Sequence, residues 1–217
     1  MSKPFTIAVF ASGSGTNFQA LIDAVEAGTL PVRIALLVCD KPKAPVVDRA
    51  KRAGIPRFVF SPKDYESRVA YEQEILAELR KREIDLIVLA GYMRLITESL
   101  VEPFYGRMIN IHPSLLPSFA GLNAIGQALE SGVKLTGVTV HYVDGGMDTG
   151  PIIAQRALEI HEEDTEDTLA SRVHLIEHQL YPEVVRWISE GRVVLQGRHV
   201  RILSERQGSS LVNHEGI

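Results

Sequence analysis

Asn110 and His112 stand two residues apart in NIHPSLLP (residues 110–117), at the end of an apolar run that reads as a buried strand. Side chains at i and i+2 of a strand share a face. The amide and the imidazole therefore point the same way, while Ile111 turns into packing. Pro113 and Pro117 fix φ and hold the residues before them extended, so the segment presents two polar groups rigidly. A second stretch, HYVDGGMDTGP (residues 141–151), places Asp144 and Asp148 among glycines that let backbone and side chains approach a ligand closely. An aspartate beside His112 would favour the imidazolium, which suits general acid–base work. An asparagine amide can donate to a developing oxyanion. Amide, imidazole and carboxylate, with no serine or cysteine nucleophile in the motif, suggest acyl transfer in which the substrate's own amine attacks. Two other readings stay open on spacing alone: a structural histidine beside an Asn/Pro turn, and a zinc site from His112, His141 and Asp148, which lacks a recognised ligand spacing.

ASGSGTNF (residues 11–18) joins the first strand to the first helix. Gly13 and Gly15 admit close approach, Ser14, Thr16 and Asn17 are polar, and free N–H groups at a helix start favour an anion. The dinucleotide fingerprint G-x-G-x-x-G fails at Phe18, although Asp40 after the second strand keeps that reading open. A P-loop is excluded, because no G-K-[ST] follows. A plain turn capped by Thr16 or Asn17 is the bland alternative. A site for one phosphate group suits the short loop best. In the late helix, HLIEH (residues 174–178) fits the inverted zinc-protease pattern H-x-x-E-H, with Glu183 or Glu190 needed as a third ligand.

The elements that must position these groups alternate strand and helix. Strands are expected at FTIAVFA, VRIALLVC, RFVF, IDLIVLAG and RMINIH. Helices are expected at NFQALIDAVEAG, APVVDRAKRAG and YESRVAYEQEILAELRKRE, the last with Val69, Ile75, Leu76 and Leu79 as its apolar stripe. Strands apolar on both faces imply a mostly parallel sheet covered by helices on both sides. LTGVTVHYV and PIIAQRALEI read as an antiparallel extension. A long helix carrying Pro182 follows, with a bend expected there, and then a small hairpin over RVVLQGRHVRIL. The fold class is thus α/β, one Rossmann-like domain over residues 1–203, with a loose tail at 204–217.

The chain has 217 residues, a hydrophobic fraction of 45%, a charged fraction of 23% and a net charge of −4. That balance offers no electrostatic reason to expect nucleic acid or an anionic membrane as partner. The single cysteine, Cys39, fits a reducing compartment. With no signal peptide in MSKPFTIAVFASG, a cytoplasmic protein is expected.

The segments ASGSGTNFQAL, VLAGYMRLI, INIHPSLLPSFAGLNA, GVTVHYVDGGMDTGPIIAQ and IEHQLYPEVVRWISEGR, in this order, resemble the folate-dependent phosphoribosylglycinamide formyltransferases over roughly residues 5–203. The resemblance implies transfer of the formyl group of 10-formyltetrahydrofolate to the amine of glycinamide ribonucleotide in purine synthesis, in a monomer or homodimer that needs no metal. It implies Asn110, His112 and Asp148 as the catalytic trio. Gly15, Thr16 and Asn17 match the substrate-phosphate turn, and Glu177 a residue on the ribose side of the nucleotide. Arg68, Met93, Arg94, Leu95, Ile96 and the loop Asp144, Gly145, Gly146, Met147 match folate-binding positions. Two departures stand out: Ala120 and Asn123 replace the proline and histidine that often follow the SLLP segment. Related formyltetrahydrofolate hydrolases and methionyl-tRNA formyltransferases would share the site chemistry, the first expected with an added N-terminal domain and the second with an added C-terminal one. A non-catalytic NAD-binding module is the rival of another class.

Overall fold

Each apolar run becomes a strand, and the strands pair in an order that the crossing helices dictate. β1 (Phe5–Phe10), β2 (Val32–Cys39), β3 (Arg57–Val59), β4 (Leu86–Leu89) and β5 (Met108–His112) are parallel. β6 (Leu135–Tyr142) and β7 (Ile152–Glu159) extend the sheet antiparallel, giving the order β3-β2-β1-β4-β5-β6-β7. β8 (Val193–Gln196) and β9 (His199–Ile202) form a separate antiparallel ribbon. This computed structural model describes residues 3–204, so the expected tail lies outside the described residues beyond Ser204. The architecture is a single α/β domain, as the strand–helix alternation implies.

The sheet has a core on each face. Ile7 and Val9 of β1 with Leu86 and Val88 of β4 face one side, against α1 (Thr16–Glu26), α2 (Pro45–Arg52) and α6 (Glu166–Ser189). Ala8, Phe10, Ile87 and Leu89 face the other, against α3 (Arg68–Lys81) and the short α4 (Glu98–Val101). Burying each large apolar side chain stabilises the fold by roughly 1.5–3 kcal/mol, which explains why these strands are apolar on both faces. Tyr181 of α6 is fully buried, and its hydroxyl donates to the carbonyl of Leu89 at 2.6 Å. That bond ties α6 to the end of β4.

Two local expectations are corrected. The α3 stripe is Tyr71, Ile75 and Leu79, whereas Val69 is 39% exposed. Val69 lies six residues before Ile75, about 120° around the helix at 3.6 residues per turn. The helix also starts later than expected, at Arg68, where Ser67 Oγ accepts the amide of Ala70 at 3.1 Å. α6 continues through Pro182 as one helix, and Leu180, Tyr181, Val184 and Val185 on either side of the proline pack into the same core. α4 and α5 (Ala124–Glu130) were not anticipated, since segments of four and seven residues show too little periodicity. Among the described residues no helix is long and apolar enough to cross a membrane.

Candidate active site

Strand order reverses at β1, which is flanked by β2 on one side and β4 on the other. Loops leaving the carboxyl ends of such strands diverge and open a crevice. The turn after β1 and the loop after β4 are joined at its root, where the Ser12 amide donates to the Gly91 carbonyl at 3.0 Å.

The turn after β1 needs glycine at one position. Gly15 has φ 72°, and a Cβ there would come within 2.5 Å of Val46 Cγ2 on α2. Gly15 is also the N-cap of α1, with no side chain capping the helix. The plain-turn expectation of a Thr16 or Asn17 cap is therefore corrected. The first-turn N–H groups stay free for an anion. Asn17 turns away from the helix end, and its Nδ2 donates to Glu177 Oε2 on α6 at 2.9 Å. Burial pushes the Glu177 carboxyl above its ordinary value, partly offset by the Asn17 bond and the nearby His174. Asn17 Oδ1 is buried and has no partner among the described residues.

On β5, Ile111 joins the α1/α6 core and Met108 the α3 core, so Asn110 and His112 share the α3 face. Antiparallel pairing sets His141 of β6 opposite Asn110 and Thr139 opposite His112. Asp148 arrives from the loop after β6. Its Oδ1 lies 3.4 Å from Asn110 Nδ2, and its Oδ2 lies 3.4 Å from His112 Nδ1. The Gly121 amide donates to Oδ2 at 2.8 Å. Burial raises the Asp148 carboxyl, but the His141 ring, the Gly121 amide and the charge on His112 outweigh it and hold the group below its ordinary value. His112 Nε2 is 2.9 Å from the Phe119 carbonyl, to which it donates. That bond leaves Nδ1 as the nitrogen aimed at the carboxylate.

His141, named from the sequence only as a possible zinc ligand, joins the site beside Asn110 and Asp148. Its Nδ1 lies 2.8 Å from the Tyr142 carbonyl, and its Nε2 lies 3.3 Å from Asn110 Nδ2 and 3.6 Å from Asp148 Oδ1. The Asp148 carboxylate accepts, which turns the NH₂ group of Asn110, rather than its oxygen, toward it. The signal for His141 was its alternation along the strand, but its pairing with Asn110 depends on register, which no single strand reveals.

The remaining expected positions line the crevice loops. Met93, Arg94, Leu95 and Ile96 lie between β4 and α4, with Met93 63% and Leu95 56% exposed. Arg68 opens α3, and both it and Arg94 act on the phenol of Tyr71. Asp144 closes its own loop, accepting the Gly146 amide at 3.0 Å and the Thr149 hydroxyl at 2.6 Å. Gly145 and Met147 complete that loop. Asn123 has φ 54° and caps α5, and both it and Ala120 are exposed.

The rival readings lose their ligands. Asp40, which a dinucleotide site would spend on a ribose, has a fully buried side chain paired with Arg94 Nε at 2.7 Å. In the late helix Glu177 faces Asn17, Glu183 pairs with Arg156 and Glu190 with Arg192. Among the described residues no group of three or more His, Cys, Asp or Glu side chains could hold a metal ion.

The Formyl transferase family model matches residues 5–185. A phosphoribosylglycinamide formyltransferase of Bacillus subtilis is 55% identical over 179 residues, covering 82% of this chain and 92% of that protein. The crystal structure of glycinamide ribonucleotide transformylase 1 from Symbiobacterium toebii superposes with a TM-score of 0.90 at 46% identity, covering 93% of this chain and 95% of the other. A formyltetrahydrofolate deformylase from Pseudomonas syringae pv. tomato superposes with a TM-score of 0.86 at 26% identity, covering 94% of this chain and 67% of the deformylase.

Proposed function

Since the chain belongs to the formyl transferase family, we propose that it transfers the formyl group of 10-formyltetrahydrofolate to the amine of glycinamide ribonucleotide. The observation that carries the chemistry is the convergence of Asn110 Nδ2 and His112 Nδ1 on the two oxygens of Asp148, each at 3.4 Å. Two donors and one carboxylate around a single point suit a carbonyl carbon that gains an oxyanion while its attacking nitrogen sheds a proton. Sequence identity to the transferases is well above that to the deformylase, which favours a transferred over a hydrolysed formyl group.

The amine attacks the formyl carbon directly, forming a new C–N bond and an oxyanion. Asn110 donates to that oxyanion, and His112 as imidazolium adds positive charge beside it. Asp148 faces His112 and relays the proton from the attacking nitrogen to the departing folate nitrogen, whose bond to carbon then breaks. The free amides at the start of α1 hold the nucleotide phosphate. Asn17 Oδ1, buried without a partner among the described residues, and Glu177 receive donors of the same substrate. The loop from Met93 to Ile96, with Arg68 and the Asp144–Met147 turn, receives the folate.

The test is an assay of formyl loss from 10-formyltetrahydrofolate with and without glycinamide ribonucleotide. Loss that depends on the nucleotide, with formylated nucleotide as product, is expected. Loss at the same rate without the nucleotide would make the protein a hydrolase and refute the proposal.

A further inference from the structure

We propose that Asp40, Ser12 and Glu72 are positioning residues that hold the loop at residues 92–97 as a preformed seat for the formyl donor. The proposal rests on the reading of that loop as the folate contact. Ser12 follows β1 and Asp40 follows β2, so both stand at the carboxyl edge of the sheet. The Asp40 side chain is fully buried, and both of its oxygens are engaged. Oδ1 accepts the Ser12 hydroxyl at 2.5 Å, and Oδ2 accepts Arg94 Nε at 2.7 Å. Having spent its proton on Asp40, Ser12 Oγ accepts the Met93 amide at 2.9 Å. A chain of bonds thus runs from the end of β2, through the end of β1, to the start of the loop.

The far end of the loop is tied in the same way from another element. Glu72 of α3 is 3% exposed, accepts the Thr97 amide at 3.0 Å and receives the Thr97 hydroxyl. Between the two anchors, the backbone amides of Arg94, Leu95 and Ile96 have no hydrogen-bond partner among the described residues. A buried carboxylate is costly unless its partners are well placed. Two are used here on one short loop, whose middle has free amides and whose Met93 and Leu95 side chains stand in solvent. Such a loop is ordered before a flat ligand arrives, which removes the ordering cost from binding. The Nε of Arg94 is committed to Asp40, which fixes the direction of its remaining guanidinium nitrogens.

The test uses the full chain carrying Asp40→Asn, Ser12→Ala or Glu72→Gln. Steady-state kinetics would be measured with both substrates, and binding of tetrahydrofolate by calorimetry. The KM for the formyl donor and the Kd for tetrahydrofolate should each rise about 10-fold, the loss expected when a charged hydrogen bond is broken. The kcat at saturation should stay within about 3-fold and the KM for the nucleotide should be unchanged, the split expected of lost donor binding alone. Unchanged donor KM and Kd in all three variants would overturn the proposal. So would parallel changes in kcat and both KM values, which indicate a general structural role. Should Asp40→Asn not fold, Ser12→Ala, which keeps the Asp40–Arg94 pair, decides the question alone. Absence of nucleotide-dependent transfer in the unsubstituted protein would instead overturn the functional reading, and calorimetry would still judge the loop.

Discussion

Replacing Asp148 by Asn isolates the carboxylate's charge from its shape. Asp148 has φ 55°, in the left-handed region that Asn tolerates well, so the backbone should keep its path. An Asn oxygen can still accept the Gly121 amide that Asp148 Oδ2 accepts at 2.8 Å. What disappears is a negative charge 3.4 Å from His112 Nδ1, an interaction of about 5 kcal/mol between unit charges at an effective dielectric of about 20. If about half of that is expressed only in the transition state, kcat falls about 70-fold, and losing the proton relay takes the loss to at least about 100-fold. The assay is nucleotide-dependent formyl transfer at saturating substrates, with thermal melts run in parallel. A variant that melts normally and keeps kcat within about 5-fold would refute the reasoning, since the charge would then do nothing the reaction needs. The same carboxyl gives a sign for stability. Its folded value is depressed, so its charge stabilises the fold above the unfolded value and that contribution vanishes as pH falls through the folded one. The advantage of the unsubstituted protein in Tm over Asp148→Asn should therefore shrink below the ordinary value of 3.8.

Glu177→Gln should raise Tm at neutral pH. The raised folded value means that the charged form is disfavoured by burial, and this penalty fades as pH falls toward the ordinary value of 4.5. The same variant should raise the KM for glycinamide ribonucleotide about 10-fold through a lost charge-assisted bond. A lower Tm at pH 7 would contradict the sign. Gly15→Ala would place a methyl 2.5 Å from Val46 Cγ2 and 3.1 Å from Val46 Cα, in a conformation that costs an L-residue roughly 1–2 kcal/mol. With overpacking of about 1–3 kcal/mol in addition, chemical denaturation should show a clear loss of stability and nucleotide KM should rise. Unchanged stability would mean that the turn does not pack against α2.

Much of the scaffold was legible because its signals are local. β2 falls on VRIALLVC, and β8 and β9 fall within the expected terminal hairpin. The shared face of Asn110 and His112 follows from the two-residue period of any strand. Errors arose where one period admits two phases or where segments are short. Val69 was placed in a stripe whose phase Tyr71 sets, and α5 is too brief to announce itself. Asp40 shows a different difficulty. Its position after β2 is equally compatible with binding a ribose and with burying a carboxylate, and only the approach of Arg94, 54 residues away, distinguishes them.

What the amino-acid order determined by itself was the longer elements, their alternation, and the rigid presentation of an amide and an imidazole at one strand end. Periodicity, glycine and proline act over a few residues, so they can be read without knowing neighbours. The tertiary structure alone decided who meets whom. It set His141 against Asn110 by antiparallel register, brought Phe119 and Gly121 onto His112 and Asp148, and spent Asp40 and Glu72 on one loop. Each of those contacts is the outcome of sheet order and packing across the whole domain, and a hydrogen bond between distant residues leaves no periodic trace in either segment that makes it.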